Sequence, residues 1–363
     1  MKVAILGTRG IPNNYGGFEQ FAEYLSDGLT KYGHQVYVYN SHNHPYKNPN
    51  WKKVKILHIY DPEKKIGTLG QFFYDLLCIL DTRKRNFDVI IQLGYTSSSI
   101  WNFLFKKKSI IVTNMDGLEW KRSKYNFLVK IFLKFAESLA VYFSDSLIAD
   151  SKQIQMYLHK KYKTKPRFIP YGANIYINND KDYLKEFNLD PFNYDMLVAR
   201  IEPENNIELI LDGVVKSSTK RKFLVIGNMN TKLGVFLSKK YNDSRIIYLG
   251  YLNEIKILNT LRQYSNLYFH GHSVGGTNPS LLEAMASNSL ICAHDNLFNK
   301  EVLTKNAFYF KSKQCVVNLL EKINKKDYCK YTNNNLDRIK EIYDTNKIIS
   351  EYENHLKYVC KKR

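Results

Sequence analysis

Residues 2–19 read KVAILGTRGIPNNYGGFE, a short apolar strand, a glycine-rich loop and the start of a helix. The helical pattern continues over Gly17–Lys31. Glycines let the backbone approach a ligand closely, and the first turn of a helix offers unpaired N–H groups to an anion. Gly7 and Gly10 have the spacing G-x-x-G, and the second strand ends at Asn40 rather than at an acidic residue, so a dinucleotide fingerprint is not indicated. We therefore predict an anion-binding turn in an α/β domain.

Strand-like and helical segments alternate outward from this turn. In the first half we predict strands at Lys2–Leu6, Gln35–Asn40, Val54–Tyr60, Phe87–Leu93, Ser109–Asn114 and Ser146–Ala149, and helices at Gly17–Lys31, Ile66–Asp81, Lys124–Phe143 and Ser151–Lys161. The pattern breaks near residues 169–194 and restarts with strands at Asp195–Arg200, Lys222–Ile226, Arg245–Leu249, Asn266–His270, Leu290–Ala293 and Phe308–Phe310, and a helix at Ile207–Lys216. Such alternation predicts parallel sheets. We expect α/β domains at 1–172 and 190–345, with a C-terminal helix at 346–363 that packs on the N-terminal domain.

Length and charge narrow the class of protein. The chain has 363 residues and a net charge of +20, which suits nucleic acid, an anionic membrane surface or a phosphorylated substrate as partner. No stretch reaches the roughly 18 to 20 apolar residues of a membrane span, and the apolar N-terminal run is too short for a signal peptide. Five scattered cysteines without a C-x-x-C pair favour a reducing cytoplasm over a disulfide scaffold or zinc site.

The stretch 270–287, HGHSVGGTNPSLLEAMAS, carries the strongest chemical signal. A strand ends at His270, a loop with Gly275 and Gly276 follows, and Pro279 marks the first turn of a helix. The loop N–H groups and the helix dipole favour phosphate, and Glu283 lies about one turn into the helix, where it can accept hydrogen bonds from a ribose diol. The alternative is a solvated glutamate, but its apolar neighbours favour a buried helix.

A second candidate follows the first strand of the second half, in the sequence RIEPENN at 200–206. Ligands of open α/β sheets bind beyond the carboxyl ends of the strands. A guanidinium at Arg200 suits a diphosphate because it keeps its charge and holds two oxygens at once. A surface salt bridge is the alternative interpretation.

These motifs resemble the retaining glycosyltransferases of family 4, which have the GT-B fold. The block ILGTRGIPNNYGGFE at 5–19 is similar to the subgroup of bacterial rhamnosyltransferases for surface polysaccharides such as capsule or O-antigen, and the similarity includes Asp145–Ser151 and Ile169–Gly172. The resemblance implies two Rossmann-like domains that face each other across a cleft. It implies a metal-independent transfer, without cofactor, from a nucleoside diphosphate sugar.

The resemblance assigns the donor site residue by residue. Arg200 corresponds to the arginine that holds the diphosphate, whereas Asn205 and Asn206 replace a second, lysine phosphate ligand. Glu283 corresponds to the second glutamate of the E-x7-E pair, whose first position is Gly275 here; His270 or His272 is a candidate to compensate. The predicted donor-binding set is Gly16, Gly17, Arg200, Asn205, Asn206, Gly275, Gly276, Thr277, Asn278 and Glu283, with Arg200 also catalytic.

The N-terminal domain is expected to supply the acceptor side. Met115 stands where many relatives carry a histidine, which leaves Asp116 as the nearest polar group and a candidate to position a hydroxyl. Glu19, His42 and His44 are predicted on the acceptor side, although simple packing is an alternative for the two histidines. No metal site is predicted, because no carboxylate or cysteine completes a ligand set with His42-x-His44.

A basic amphipathic segment is the remaining signal. Between Trp101 and Ala140, eight basic residues stand against three acidic ones. Apolar residues recur there at helical spacing, at Phe127, Leu128, Ile131, Phe135 and Leu139. The stripe is either core-facing beneath a solvated basic face, or it docks on anionic lipid.

The predicted function is sugar transfer, with retention, to a hydroxyl of a growing, lipid-linked glycan, and rhamnose is the expected sugar. The expected location is the cytoplasm, peripheral to the inner face of the plasma membrane. A nucleotide-sugar 2-epimerase of the same fold and a basic nucleic-acid-binding protein are the alternatives. The nucleic-acid alternative lacks a helix-turn-helix, RNP or zinc motif, so no nucleic acid is expected as partner.

Overall fold

The computed structural model describes residues 1–14, 16–252 and 254–362, so Tyr15 of the N-terminal glycine loop lies outside the described residues, as do Asn253 and Arg363. The chain divides into two compact units. Unit 1 consists of Met1–Lys121, Tyr125–Tyr171 and Thr345–Arg363, and unit 2 of Arg122–Lys124 and Gly172–Asp344. The main boundary therefore falls at Tyr171, inside the Pro- and Gly-containing break of the sequence.

Unit 1 is built on a sheet whose strands, in the described part of the chain, have the order β3-β4-β2-β1-β5-β6-β7-β8. All neighbouring strands are parallel except the antiparallel pair β3 and β4. The strands are β1 (Lys2–Leu6), β2 (Gln35–Ser41), β3 (Asn50–Trp51), β4 (Val54–Ile59), β5 (Val89–Leu93), β6 (Ile110–Asn114), β7 (Ser146–Ala149) and β8 (Arg167–Phe168), and the helices between them are α1 (Gly17–Lys31), α2 (Glu63–Ile66), α3 (Leu69–Thr82), α4 (Phe127–Phe143) and α5 (Lys152–Tyr162).

The direction of each crossover places the helices of unit 1 on two faces of the sheet. The connection through α1 steps from β1 to β2, whereas α3, a 3₁₀ segment at Ser99–Leu104, α4 and α5 lie in connections that step the other way. Because parallel crossovers are right-handed, the second group covers the opposite face from α1. A core of β1, β2, β5 and β6 side chains lies under α3, where Tyr74, Cys78 and Ile79 pack against it.

Unit 2 is a second parallel sheet, of order β11-β10-β9-β12-β13-β14 within the described residues. Its elements are α6 (Asp182–Lys185), β9 (Tyr194–Val198), α7 (Ile207–Lys216), β10 (Lys222–Ile226), α8 (Lys232–Lys240), β11 (Ile246–Gly250), α9 (Ile255–Tyr264), β12 (Tyr268–His270), α10 (Pro279–Ala286), β13 (Ile291–His294), α11 (Leu297–Leu303), β14 (Phe308–Phe310), α12 (Lys313–Lys322) and α13 (Cys329–Arg338). A buried apolar cluster of these strands with α7 and α12 forms its core.

The C-terminal helix α14 (Thr345–Lys362) belongs to unit 1. Gly28 on α1 lets Ile349 approach, since a Cβ there would lie 2.5 Å from the Ile349 side chain. Tyr352 is fully buried, packs on the Phe21 ring with centroids 5.2 Å apart, and accepts a hydrogen bond of 3.1 Å from Asn114 Nδ2. The last helix thus completes the core of the N-terminal unit.

Two predicted helix starts are wrong by about one turn, for identifiable reasons. We predicted one helix from Ile66, but Gly67 has φ of 64°, which interrupts the helix between α2 and α3. We predicted another from Lys124, but α4 starts at Phe127 because the Asn126 side chain caps it by accepting from Val129 N at 3.0 Å. The helix over Gly17–Lys31 is confirmed at both ends.

Candidate functional site

The two motifs that we predicted to bind the donor leave the unit 2 sheet at one point. β9 lies inside this sheet. The next strands in sequence, β10 and β11, lie on one side of β9, and β12, β13 and β14 lie on its other side. The segment 199–206 leaves the carboxyl end of β9, and the segment 271–278 leaves that of β12. Adjacent parallel strands whose connections depart in opposite directions form a topological switch point, where α/β sheets bind ligands. The sequence motifs therefore meet at the expected crevice.

Side-chain amides tie these two loops together. Asn205 Oδ1 accepts from His272 Nδ1 at 2.8 Å, and Asn206 Nδ2 donates to Gly271 O at 2.7 Å. Ser273 N adds a bond of 3.0 Å to Glu204 O. Both asparagines, which we predicted at the donor phosphates, thus have protein partners here. Their contact with a donor stays a prediction, and their observed contribution is to fix the crevice.

The helix start at Pro279 is confirmed. Asn278 caps α10 by accepting from Ser280 N at 2.9 Å, and Pro279 occupies the first turn. Gly275 has φ of 125°, and a Cβ there would lie 3.0 Å from His272 Nε2. A side chain at this position would be strained, which accounts for glycine where the resembling family has its first glutamate. Gly276 and the buried Thr277 complete the loop, and their donor contact stays a prediction.

Glu283 is held by an arginine that the sequence analysis missed. Glu283 Oε2 lies 2.6 Å from Arg262 Nη2, and the exposed fractions of the two side chains are 16% and 1%. Arg262 comes from α9, where its Nη1 donates to Asn259 Oδ1 at 2.8 Å. The guanidinium also lies over the Tyr268 ring, with its Cζ 5.9 Å from the centroid. The Glu283 carboxylate on α10 is therefore held in place by its ion pair with Arg262.

Arg200 differs from Arg262 in being exposed to solvent. Its backbone carbonyl accepts from Asn205 Nδ2 at 2.7 Å and from Glu202 N at 2.8 Å, which fixes the turn after β9. Burial raises the pKa of Glu202, but the charges of Arg200 and Lys124 outweigh it and leave that pKa lowered. An exposed guanidinium on a rigid turn is well placed for an anionic ligand.

The two loop histidines are neutral at physiological pH. Burial, with help from Arg262 and His294, lowers the pKa of His270 to about 3. Burial and the neighbouring His270, Arg122 and Arg200 hold the pKa of His272 well below its usual range. Neither neutral ring can supply a positive charge to a phosphate, but each can form hydrogen bonds. Their predicted compensation for the missing first glutamate stays a prediction.

Acid is expected to destabilise the protein through His270. Its folded pKa of about 3 lies below the ordinary value of 6.5, so the unfolded chain binds the proton first as the pH falls between these values. The free energy of unfolding should then fall by about 1.4 kcal/mol per pH unit on account of this group. His270→Leu should flatten the pH dependence measured by urea unfolding, whereas the exposed His159→Leu should not. Equal slopes in wild type and His270→Leu would contradict the assignment.

In unit 1, Glu19 supports the N-terminal glycine loop. The buried carboxylate accepts from Arg9 N at 2.9 Å, and a Cβ on Gly16 would lie 2.2 Å from Glu19 Oε2. Gly16 has φ of 116°, and Gly17 begins α1. Glu19 thus shapes the loop from within unit 1, and the predicted acceptor contact of Glu19 and donor contacts of Gly16 and Gly17 stay predictions.

The two histidines that we predicted on the acceptor side form hydrogen bonds within unit 1, and their contact with an acceptor stays a prediction. His44 Nε2 donates to Pro12 O at 3.1 Å and its Nδ1 accepts from Tyr46 N at 3.2 Å, while His42 Nδ1 accepts from Asp61 N at 2.8 Å. In the described residues, no group of three or more His, Cys, Asp or Glu side chains is arranged to hold a metal ion.

Asp116 lies just beyond the carboxyl end of β6, beside two tyrosine hydroxyl groups. Burial raises the pKa of Tyr171, and the nearby Asp116 and Asp150 carboxylates raise it further; Asp116 contributes in the same sense at Tyr352. Its predicted role at an acceptor hydroxyl stays a prediction.

One family model matches the N-terminal part of the chain. The family model described as "Domain of unknown function (DUF1972)" matches residues 1–174. No curated protein matches the chain in sequence.

Solved structures match essentially the whole chain at low sequence identity. Sucrose-phosphate synthase from Thermosynechococcus elongatus is 14% identical, with a TM-score of 0.82 and 100% coverage of both chains. HepE from Anabaena, in complex with UDP and glucose, is 13% identical, with a TM-score of 0.76 and coverage of 98% of this chain and 99% of that one. The α,α-trehalose 6-phosphate synthase from Burkholderia multivorans is 10% identical, with a TM-score of 0.72 and 99% coverage of both. This chain has the α/β fold of GT-B glycosyltransferase structures, with two parallel-sheet domains.

Proposed function

We propose that this chain is a glycosyltransferase that uses a nucleoside diphosphate sugar bound by unit 2. The observation that carries the proposal is the switch point between β9 and β12: Arg200 follows the end of β9, and the loop after β12 leads into α10, the helix that carries Glu283. The fold shared with sucrose-phosphate synthase, and with a HepE structure that contains UDP and glucose, supports the same reaction class.

Each group at the switch point has a role in this proposal. Arg200 neutralises the donor diphosphate and stabilises it as it departs, which is the largest electrostatic demand of the reaction. Loop N–H groups around Gly276 and Thr277 face the phosphates at the positive end of α10. Glu283, held by Arg262, accepts hydrogen bonds from the ribose diol.

The finer parts of the proposal derive from the sequence resemblance. They are rhamnose carried on thymidine diphosphate, a lipid-linked glycan acceptor at the inner face of the plasma membrane, and retention without a metal ion. In the mechanism that the resemblance implies, the departing diphosphate would help to deprotonate the acceptor hydroxyl, and Asp116 would position that hydroxyl.

Donor binding is the test of this proposal. Purified protein is heated with dTDP-rhamnose, UDP-glucose and a GDP-sugar in turn, and a ligand at 100 times its Kd should stabilise it by about 2.7 kcal/mol. Product analysis without acceptor distinguishes transfer from epimerisation, because an epimerase converts the sugar alone. Absence of any response to nucleotide sugars, together with tight, salt-sensitive binding of nucleic acid, would overturn the proposal.

A further inference from the structure

Two helices of unit 1 expose apolar stripes to solvent. On α4, Phe127 and Leu128 are 76% and 74% exposed, and Ile131, Phe135 and Tyr142 continue the same stripe. On α3, the stripe consists of Leu69, Phe73, Leu77 and Leu80. Both sets follow the three- and four-residue spacing of a single helix face. For α4, the interpretation of Phe127, Leu128, Ile131 and Phe135 as a core-facing stripe is therefore wrong.

The rotation of α4 is fixed by its buried side. Glu137 is buried, and its carboxylate accepts from Trp120 Nε1 at 3.1 Å, Tyr157 OH at 2.8 Å and Lys161 Nζ at 2.8 Å. Turning the apolar stripe inward would remove these partners from a buried charge, which is strongly unfavourable. The exposure of the stripe is thus a property of the fold.

The two stripes belong to one layer. Both helices cover the same sheet face, and the Phe72 and Phe132 rings join them with centroids 5.6 Å apart. The 3₁₀ segment Ser99–Leu104 contacts both, since Trp101 Nε1 donates to Phe72 O at 3.0 Å, and it adds the exposed Phe103. We call the exposed residues of α3, Phe103 and the exposed residues of α4 the α3–α4 surface. Exposed apolar side chains in such number mark an interaction site.

The charge beside this surface is positive. Exposed lysines lie before α3, in the loop after the 3₁₀ segment and on α4, at Lys64, Lys65, Lys107, Lys108 and Lys134. The acidic residues of the two helices add little negative charge to the surface. Asp75 and Glu137 are buried, and Asp81 is paired with Arg85. The surface thus combines apolar side chains with basic ones and presents little negative charge.

We propose that the α3–α4 surface docks on the anionic headgroups of a phospholipid bilayer. Aromatic and aliphatic side chains would enter the boundary between headgroups and acyl chains, while the lysines contact anionic headgroups. No helix in the described residues is long and apolar enough to cross a membrane, so the contact is peripheral. Charge complementarity selects this occupant over a second copy of the chain, because a two-fold contact through this surface would face lysines with lysines.

Vesicle co-sedimentation tests the proposal with the full chain and no donor, so its outcome is independent of the glycosyltransferase proposal. Vesicles of phosphatidylcholine alone are compared with vesicles that contain about one-third phosphatidylglycerol. We expect binding to the anionic vesicles, weakened at least about tenfold by raised salt or by Lys107→Glu with Lys108→Glu.

The apolar contribution is tested by Phe127→Ser with Leu128→Ser, a change on exposed positions that should leave the fold intact. We expect at least about a tenfold loss of vesicle binding. The matched control is Val235→Ser with Phe236→Ser, which removes two exposed apolar side chains of α8 in unit 2 and should bind like wild type. Thermal unfolding verifies that each variant is folded.

Three results would overturn the proposal. The first is no binding of wild type to anionic vesicles, and the second is equal loss in the α8 control. The third is a dimer, seen by sedimentation velocity, that dissociates only in the Phe127 and Leu128 variant, because the surface would then be an interface between copies.

Discussion

Replacing Arg262 by methionine is expected to lower the free energy of unfolding by about 3 to 5 kcal/mol, because it removes the buried guanidinium that pairs with the Glu283 carboxylate. Arg262 is 1% exposed and Glu283 16%, so water cannot fully replace the lost contact of 2.6 Å. Urea unfolding measures the change. A loss this large would show that the pair stabilises the packing of α9 against α10.

A double-mutant cycle separates the ion pair from the packing around it. Glu283→Leu alone removes the carboxylate that pairs with the buried guanidinium and should also lower the free energy of unfolding. Arg262→Met with Glu283→Leu should recover much of the loss, since apolar replacements of buried pairs are often tolerated. Lys340→Met breaks an exposed pair with Asp337 and should change stability by less than about 1 kcal/mol. Additive losses in the double variant would contradict the proposed coupling.

The pair also determines which Glu283 variant tests function. Glu283→Ala removes the carboxylate that pairs with Arg262, so it changes stability as well as any donor binding. Glu283→Gln, which keeps the shape and a hydrogen-bonding oxygen, is the better functional variant. Its loss of donor binding is informative only after its stability has been measured.

Strands and helices that carry strong periodicity were predictable in unit 1 and in the first half of unit 2. The strand Lys222–Ile226 and the helix Ile207–Lys216 are confirmed residue by residue, because apolar runs of β-branched residues and amphipathic spacing stand out locally. Several helices of unit 2 were not predicted, among them α8 and α12. The α8 sequence KLGVFLSKK contains a glycine, and the α12 sequence KQCVVNLLEK contains two β-branched valines and a cysteine. These residues lower the intrinsic preference for helix, so tertiary packing decides.

The site was only half predictable, for a physical reason. Arg200 and the 270–283 stretch are recognisable because strand ends, glycines and a helix-start proline are local signals. Arg262 is separated from Glu283 by β12 and a loop, and nothing local marks it. The available clue was that a carboxylate flanked by Leu281, Leu282 and Met285 needs a buried cation, and that an arginine sits among the apolar positions of α9.

Arg200→Ala is expected to weaken nucleotide-sugar binding by about 100-fold, since in the proposed donor site it would remove two charge-assisted hydrogen bonds to the diphosphate. The side chain is exposed and the turn is held by its backbone carbonyl, so the fold should be unaffected. Isothermal titration with the donor found in the panel gives Kd, and thermal unfolding without ligand verifies stability.

Two further variants make this result specific to the guanidinium. Lys239→Ala removes an exposed cation from α8, elsewhere in unit 2, and should leave Kd unchanged. Arg200→Lys keeps the charge but not the two-pronged geometry, so its Kd should lie between those of wild type and Arg200→Ala. If Arg200→Ala binds donor as tightly as wild type, the diphosphate is not at the β9–β12 switch point. Two asparagines stand where the resembling family has a lysine, and His270 and His272 are neutral, so none of those positions could supply the positive charge instead. The assignment of the donor site would then fail.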